Sequence, residues 1–248
     1  MIIIKSPREI ELMKKAGHIV ALVFEGIEGK IVPGLSTQDI ADMCEKIIRE
    51  NGAYPTFLNY SGYPGAVCVS VNDEIVHGIP SKKRILKDGD IVSVDVGATL
   101  NGYVGDACRT YPVGICTEKA LKLIKVTEES FFEGMKFARP GAHLGDISHA
   151  IQSHCEQNGY SLIREYTGHG VGASLHEDPY IPNYGPSGCG PILKVGMCLA
   201  IEPMVAEGHF AIRVMKDGWT AKTKDGKLSS HYENSIVITE DGYEILTK

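Results

Sequence analysis

The sequence predicts an α+β fold built from two similar halves, and three observations support it. Helical and strand-like patterns alternate along all 248 residues. A β-hairpin carrying two carboxylates lies just before the middle of the chain, and several short motifs recur at a constant offset of 107 residues. One half alone would expose an apolar face, so we expect the two halves to pack as one domain.

The first half opens with two helices. Ser6–Glu9 carries a capping box with proline at the first helical position. Apolar residues then recur at helical spacing as far as the turn Pro33–Gly34. The second helix begins near Ser36–Thr37 and stops at Asn51–Gly52, which is a typical helix end.

The clearest strand signal is the hairpin Ile91–Val113. Its turn is Asn101–Gly102, because a type I′ turn needs positive φ at both central residues. Asp95 and Asp106 lie inside the strands, although Asp is disfavoured there. A plain two-residue turn places Asp106 opposite Gly97, two places along the strand from Asp95, so the carboxylates are diagonal neighbours. They are either two solvated aspartates on an exposed face or a pair with a cation between them.

The second half repeats the order of the first. The matching pairs are Pro33–Gly34 with Pro140–Gly141, Asp39–Ile40 with Asp146–Ile147, Asn51–Gly52 with Asn158–Gly159, and Gly89 with Gly196. At the same offset Asp95 matches Glu202, whereas Asp106 matches Glu233 only if the second hairpin has about twenty more residues, around 206–230. Unless the recurrence is chance, two carboxylates from each half converge near a pseudo-twofold axis. Two divalent cations would balance their charge.

The second half also supplies a histidine that suits a metal site. Helical patterns return at about 117–138 and 145–157, and His169 follows between two glycines, where backbone bulk is minimal. Carboxylates with one imidazole suit Mn, Fe or Co, with Zn also acceptable. Two such ions lower the pKa of a bridging water from about 15.7 toward 7, and the resulting hydroxide can attack a carbonyl.

The remaining histidines divide into candidates and structural residues. His77 and His176 lie on loops beside strands, where an imidazole could donate to an oxyanion or protonate a leaving amine. Four others fall in predicted helices or turns, namely His18, His143, His149 and His154. The sequence does not decide the role of His209 or His231.

Composition narrows the class of protein. The formal net charge is −6 and the pI is about 5.9, so we expect no direct nucleic-acid binding. Seven cysteines without a CxxC pair are typical of a reduced cytoplasmic protein. No signal peptide or membrane span is visible, and we expect no membrane contact.

Together these motifs resemble those of the type I methionine aminopeptidases, in their short bacterial form. The matching segments are Tyr166–Gly172 with His176 and Asn183–Tyr184, Asn72–Glu74 with His77–Gly78, the Asp95/Asp106 hairpin, Ala200–Pro203, and Glu233. The resemblance covers nearly the whole chain. It implies the pita-bread fold and removal of the initiator methionine from nascent chains with a small second residue.

The resemblance also implies a role for individual residues. Five residues would be metal ligands: Asp95, Asp106, His169, Glu202 and Glu233. Asp95 and Asp106 would hold one ion, and Asp106 with Glu233 would bridge to the second. His169 and Glu202 would complete the ligand set of the second ion, and Glu202 would also accept a proton from the bridging water.

The same resemblance implies residues that contact the substrate. His77 and His176 would contact its backbone and stabilise the tetrahedral intermediate. Four residues match positions that line the methionine pocket: Tyr60, Tyr63, Cys68 and Trp219. Phe57 and Leu175 depart from the family pattern, where a smaller residue and an aromatic are common. Core packing is the alternative explanation for the aromatic residues.

Three other classes of protein share part of this pattern. Aminopeptidase P and prolidase relatives share this core but usually carry a large N-terminal domain, and type II methionine aminopeptidases carry a helical insertion in the second half. A non-catalytic binding module would have lost metal ligands. We therefore expect one catalytic domain over residues 1–248, with repeats of about 1–115 and 116–248. We also expect a monomer whose partners are nascent N-termini, met at the ribosome.

Overall fold

The computed structural model describes residues 1–248, which form four α-helices and fifteen strands. The helices are α1 (Pro7–Ile27), α2 (Thr37–Glu50), α3 (Glu118–Met135) and α4 (Leu144–Gln157). The strands are β1 (Tyr54–Pro55), β2 (Cys68–Val71), β3 (Glu74–Val76), β4 (Ile91–Leu100), β5 (Tyr103–Pro112), β6 (Ser161–Leu162), β7 (Gly168–Gly170), β8 (Glu177–Ile181), β9 (Cys198–Ile201), β10 (Met204–Ala206), β11 (Ile212–Val214), β12 (Ala221–Thr223), β13 (Ser229–His231), β14 (Glu233–Thr239) and β15 (Gly242–Ile245). None of the helices is both long and apolar enough to cross a membrane.

The helix starts follow the predicted capping chemistry. The Ser6 backbone N–H donates to the Glu9 carboxylate at 2.8 Å, and the Ser6 hydroxyl accepts from the Glu9 N–H. The same box caps α2 through Ser36 and Asp39. Helix α3 ends earlier than predicted, at Met135, because the chain tightens into a turn ahead of Pro140.

A nine-stranded antiparallel sheet forms the centre of the molecule. Its main path runs β1-β4-β5-β14-β9-β7-β8, with β2 added on β4 and β15 added on β14. Strands β5 and β14 therefore meet in the middle, one from each half of the chain. Two three-stranded sheets, β13-β10-β6 and β11-β12-β3, lie beside it. Helices and an antiparallel sheet confirm the predicted α+β class.

The register predicted for the hairpin is confirmed. Gly97 pairs with Asp106, so Asp95 and Asp106 are diagonal neighbours on one face of the β4–β5 pair. Asn101 has φ of 51° and Gly102 has φ of 81°, as a type I′ turn needs. The local sequence thus fixed the position of the first two carboxylates.

Backbone features recur at the same 107-residue offset. Three pairs of glycines have positive φ: Gly34 with Gly141, Gly52 with Gly159, and Gly89 with Gly196. The isolated bridge between Ser36 and Ile85 has its counterpart between His143 and Ile192. The two halves therefore share turn geometry as well as the order of their elements.

The second carboxylate pair departs from this symmetry. Ile201 pairs with Asn234, which brings Glu202 and Glu233 to the next, directly facing positions. Glu202 lies just past the end of β9, because Pro203 has no N–H to continue the ladder. The additional residues of the second half form β10 to β13 between these two glutamates.

Apolar residues of the helices cover one face of the central sheet. Helices α1 and α2 pack on β4 and β5 through a cluster that includes Val92, Val94 and Val96. Helices α3 and α4 belong to a second cluster with Leu199, Ile236 and other residues of β9 and β14. Burial of these side chains is the main stabilising contribution to the sheet.

Helix α1 approaches β5 closely at Gly105. A Cβ atom at Gly105 would lie 2.6 Å from the Gly17 Cα, which is backbone and cannot move aside. We expect Gly105→Ala to lower the free energy of unfolding by about 1–3 kcal/mol through overpacking. Urea denaturation followed by circular dichroism measures this, with Lys15→Ala on the exposed side of α1 as the control. Equal stability of both variants would contradict the close approach.

Candidate metal centre and substrate pocket

The five predicted metal ligands come from five different strands, or the residue next to a strand, and converge on one face of the central sheet. Asp95 lies on β4, Asp106 on β5, His169 on β7, Glu202 after β9, and Glu233 at the start of β14. Ligand atoms of Asp106, His169 and Glu233 all lie within 4.8 Å of one another. The structure thus brings together carboxylates from both halves of the chain, while the assignment of these residues as ligands stays a prediction.

His169 is positioned by its two glycine neighbours. A Cβ atom at Gly168 would collide with the Ala200 carbonyl, and one at Gly170 would collide with the Asp178 carbonyl. His169 Nδ1 lies 2.9 Å from the Gly170 carbonyl oxygen. A carbonyl only accepts, so Nδ1 carries the proton and Nε2 keeps its lone pair. That lone pair is available to a cation.

Separations in the cluster fit a cation better than direct hydrogen bonds. His169 Nε2 lies 3.7 Å from Asp106 Oδ2 and 3.5 Å from Glu202 Oε1. These distances are too long for good hydrogen bonds. Two ligands that are each about 2.0–2.2 Å from one ion lie about 3–4 Å apart. Three buried carboxylate oxygens have no hydrogen-bond partner: Asp95 Oδ1, Asp106 Oδ1 and Glu233 Oε1.

The electrostatics of the cluster also call for positive charge. Burial, with a smaller contribution from the neighbouring Glu202, raises the pKa of Asp95 to about 7. Burial raises the pKa of Asp106, Glu202 and Glu233 well above the usual range, and mutual repulsion adds to it for Asp106 and Glu233. All four carboxylates can be ionised at neutral pH only if cations lie among them. The donor set, four carboxylates and an imidazole, fits divalent metal ions.

Two further histidines face this cluster from the pocket side. The ring centroids of His176 and His169 are 4.3 Å apart, and His176 Nδ1 lies 2.8 Å from the Tyr60 hydroxyl. His77 packs edge-on against Tyr166, with centroids 5.2 Å apart. Burial lowers the pKa of His77 to about 4, and partial desolvation lowers the pKa of His176. Both imidazoles are therefore neutral at physiological pH.

His77 also has unusual backbone geometry. Its φ is 59°, in the left-handed region that non-glycine residues seldom adopt. Such strain persists where the surrounding structure holds it, often at functional sites. His77 follows directly after β3, and its backbone conformation places the imidazole between Tyr166 and Trp219.

A cavity of about 560 Å³ opens above the carboxylate cluster. All six predicted pocket residues line it: Phe57, Tyr60, Tyr63, Cys68, Leu175 and Trp219. Tyr63 donates its hydroxyl to the Gly78 carbonyl at 2.9 Å and packs edge-on against Trp219. The cavity thus joins an aromatic and apolar wall to a floor of carboxylates and neutral histidines.

The structure adds two residues that the sequence left unassigned. His231 is 1% exposed, and its Nε2 lies 3.5 Å from Glu202 Oε2. Arg109 donates from Nη1 to the Glu233 carbonyl and stacks on Tyr232, 4.3 Å from the ring centroid. One signal could have identified His231, because it lies two residues before Glu233 and alternate residues of an extended chain share a face. The other undecided residue, His209, is exposed and lies away from the cluster.

Comparison with known proteins agrees with this geometry. Residues 11–240 match the model of metallopeptidase family M24. Methionine aminopeptidase 1 of Bacillus subtilis (strain 168) is 53% identical over 248 residues, which is all of both chains. Methionine aminopeptidase of Clostridium acetobutylicum is 51% identical and covers 100% of this chain and 99% of its own.

Solved structures show the same relationship. The methionine aminopeptidase of Thermotoga maritima superposes with a TM-score of 0.98 at 51% identity, and the match covers both chains completely. The prolidase of Pyrococcus furiosus has a TM-score of 0.80 at 26% identity, and 65% of that chain is covered. The chain therefore shares its core with this prolidase, as expected, and the predicted pita-bread fold is confirmed. The chain belongs to the methionine aminopeptidases of metallopeptidase family M24.

Proposed function

We propose that this enzyme removes the initiator methionine from nascent proteins and peptides with a small second residue. The observation that carries the proposal is the cavity in which an apolar wall meets a buried carboxylate and histidine cluster. The wall receives one side chain, while the cluster lies where the first peptide bond would be. A buried carboxylate cluster costs fold stability, which favours a functional role for it.

The proposed ligands are the five residues that converge on the sheet face, from Asp95 to Glu233. Asp106 and Glu233 would bridge two ions, and their strands β5 and β14 are paired directly. Divalent cations held there would supply an activated water and polarise the scissile carbonyl. Mn, Fe and Co suit this mixture of carboxylates and imidazole, with Zn also acceptable.

The protein side chains have separate tasks in the reaction. Glu202 would accept a proton at its carboxylate, which lies beside His169 at the cavity floor. His176 would donate from Nε2 to the developing oxyanion, because the Tyr60 hydroxyl can occupy its Nδ1. His77, also neutral, would contact the substrate backbone near the leaving amine.

Specificity for methionine would come from the shape of the cavity wall. Phe57, Tyr63 and Cys68 are buried and form a surface suited to an unbranched apolar side chain. Burial raises the pKa of the Cys68 thiol well above its usual range, so this residue acts as a small apolar group. Trp219 closes one side of the cavity through its contact with Tyr63.

We further propose one catalytic domain over residues 1–248, made of repeats 1–115 and 116–248, which acts as a monomer. All proposed ligands and pocket residues come from a single chain, so no partner is needed to complete the site. Seven free cysteines are compatible with the reducing cytoplasm, where nascent N-termini leave the ribosome.

Metal-dependent release of methionine tests the proposed function. Protein stripped of metal should release free methionine from Met-Ala-Ser only after Mn(II) or Fe(II) is added, and X-Pro peptides should stay intact. Glu202→Ala should lower the rate by at least about 100-fold because a ligand and a proton acceptor are lost. Glu240→Ala, at an exposed position, is the control. Metal-independent release, or preferred cleavage of X-Pro peptides, would refute the proposal.

Metal stoichiometry tests the bridging role of Asp106. Wild-type protein should bind two Mn(II) per chain, and Asp106→Asn should bind fewer because one shared ligand is lost. Isothermal titration calorimetry counts the sites, and the added Mn(II) should raise the melting temperature of wild type more than that of the variant. Asp241→Asn removes an exposed carboxylate and should leave both quantities unchanged. Two tight sites in Asp106→Asn would contradict the assignment.

Removal of the Tyr60 hydroxyl tests the orientation of His176. Tyr60→Phe deletes the hydrogen bond to Nδ1 while it keeps the ring, so kcat should fall by about 3–10-fold with little change in KM. Steady-state kinetics on Met-Ala-Ser measures both constants. Tyr180→Phe is the matched control, because Tyr180 also lines the cavity but is 78% exposed. A change in KM alone would assign Tyr60 to substrate binding instead.

A further inference from the structure

A third imidazole lies beside the carboxylates. His231 ends β13, is 1% exposed, and has its Nε2 at 3.5 Å from Glu202 Oε2 and 3.9 Å from Glu233 Oε2. Neither ring nitrogen has a hydrogen-bond partner. A buried polar side chain without a partner is costly, so its position calls for a function.

Glu202 lies between two imidazoles that approach different oxygens. His169 Nε2 is 3.5 Å from Oε1, and His231 Nε2 is 3.5 Å from Oε2. Each carboxylate oxygen of Glu202 therefore has one imidazole ring as its neighbour. The two rings differ in what fixes them, because His169 has the Gly170 carbonyl at its Nδ1 and His231 has nothing at its own.

The main chain of His231 is held firmly from the neighbouring strand. Its N–H donates to Thr110 Oγ1 at 3.1 Å, and the Thr110 hydroxyl donates to the His231 carbonyl at 2.8 Å. Thr110 lies on β5, the strand that also carries Asp106. The ring is thus delivered to the cluster by a fixed backbone rather than by a mobile loop.

The chemistry of a neutral imidazole determines which nitrogen faces Glu202. The ring has one N–H and one lone pair, and a carboxylate only accepts. Placing the N–H at Nε2 pairs a donor with the two nearest acceptors, Glu202 and Glu233. The other tautomer would set a lone pair against a carboxylate and bury an N–H without a partner. The favoured tautomer of His231 therefore directs an N–H toward Glu202.

His231 lies outside the cavity proposed for the substrate. His231 does not line the cavity that contains Tyr60 and Trp219. It lies in the wall of a second cavity, of about 380 Å³, beside Arg109 and Tyr232. A group in this place reaches Glu202 and Glu233 without bordering the substrate cavity.

We propose that His231 is a positioning residue of the metal centre. Its Nε2–H faces Oε2 from 3.5 Å and would restrain Glu202 from that side, which leaves Oε1, on the side of His169, for the cation. The inference rests on the proposed function, because it needs Glu202 to be a metal ligand. It assigns to His231 a task that the five ligands do not include.

Two variants separate a donor from a ligand. His231→Gln keeps an N–H group of similar reach, whereas His231→Leu keeps the volume and removes the donor. Calorimetric titration of metal-free protein with Mn(II) should show a Kd raised by about 10–100-fold in His231→Leu. His231→Gln should stay within about threefold of wild type, since an amide N–H replaces the imidazole N–H. His18→Leu, at an exposed position on α1, is the control.

The other outcomes overturn the inference. Weak Mn(II) binding in both variants would make the imidazole a direct ligand, and a changed visible spectrum of the Co(II) form of His231→Gln would agree. Unchanged binding in both would leave His231 without a role. Melting temperatures show whether the variants fold, and His231→Met replaces His231→Leu if the latter does not. If wild-type protein binds no Mn(II), the proposed function itself fails. If wild type and variants bind Mn(II) equally, only the role of His231 fails.

Discussion

Mutual repulsion among four buried carboxylates is the constraint on which this structure depends. Strands β4, β5, β14 and the end of β9 bring them to the middle of the sheet, where desolvation penalises every charge. The apolar layer of helices on the sheet stabilises a framework that tolerates this penalty. Bound cations would relieve this repulsion, in agreement with the metallopeptidase family to which the chain belongs.

The two halves of the chain contribute unequally to this arrangement. In the first half a two-residue turn joins β4 to β5, and the aspartates are diagonal. In the second half the chain leaves the sheet after Glu202 and returns at Glu233. That excursion supplies Trp219 to the substrate cavity and His231 to the carboxylate cluster. The repeated elements thus carry the carboxylates, and the additional residues of the second half carry Trp219 and His231 beside them.

Local chemistry explains what the sequence could predict. Asn101–Gly102 determined one turn type and therefore the register of Asp95 and Asp106, and capping boxes determined where α1 and α2 begin. Contacts that depend on distant packing were not predictable. The spacing of His231 from Glu233 suggests a shared face, but its approach to Glu202 depends on the strand pairing with Thr110, 121 residues away. The strained φ of His77 likewise depends on the surrounding fold rather than on its neighbours in sequence.

One glycine links the metal centre to the wall of the cavity. Gly97 faces Asp106 across the hairpin, and the Phe57 ring occupies the space that a Cβ atom at position 97 would need, 2.6 Å away. A larger residue there would push Phe57 into the cavity while it also disturbed the strand beside a carboxylate. The width of the cavity at Phe57 and the position of Asp106 are therefore coupled through Gly97. A smaller side chain at Phe57 would widen the cavity and leave Gly97 and its strand unchanged.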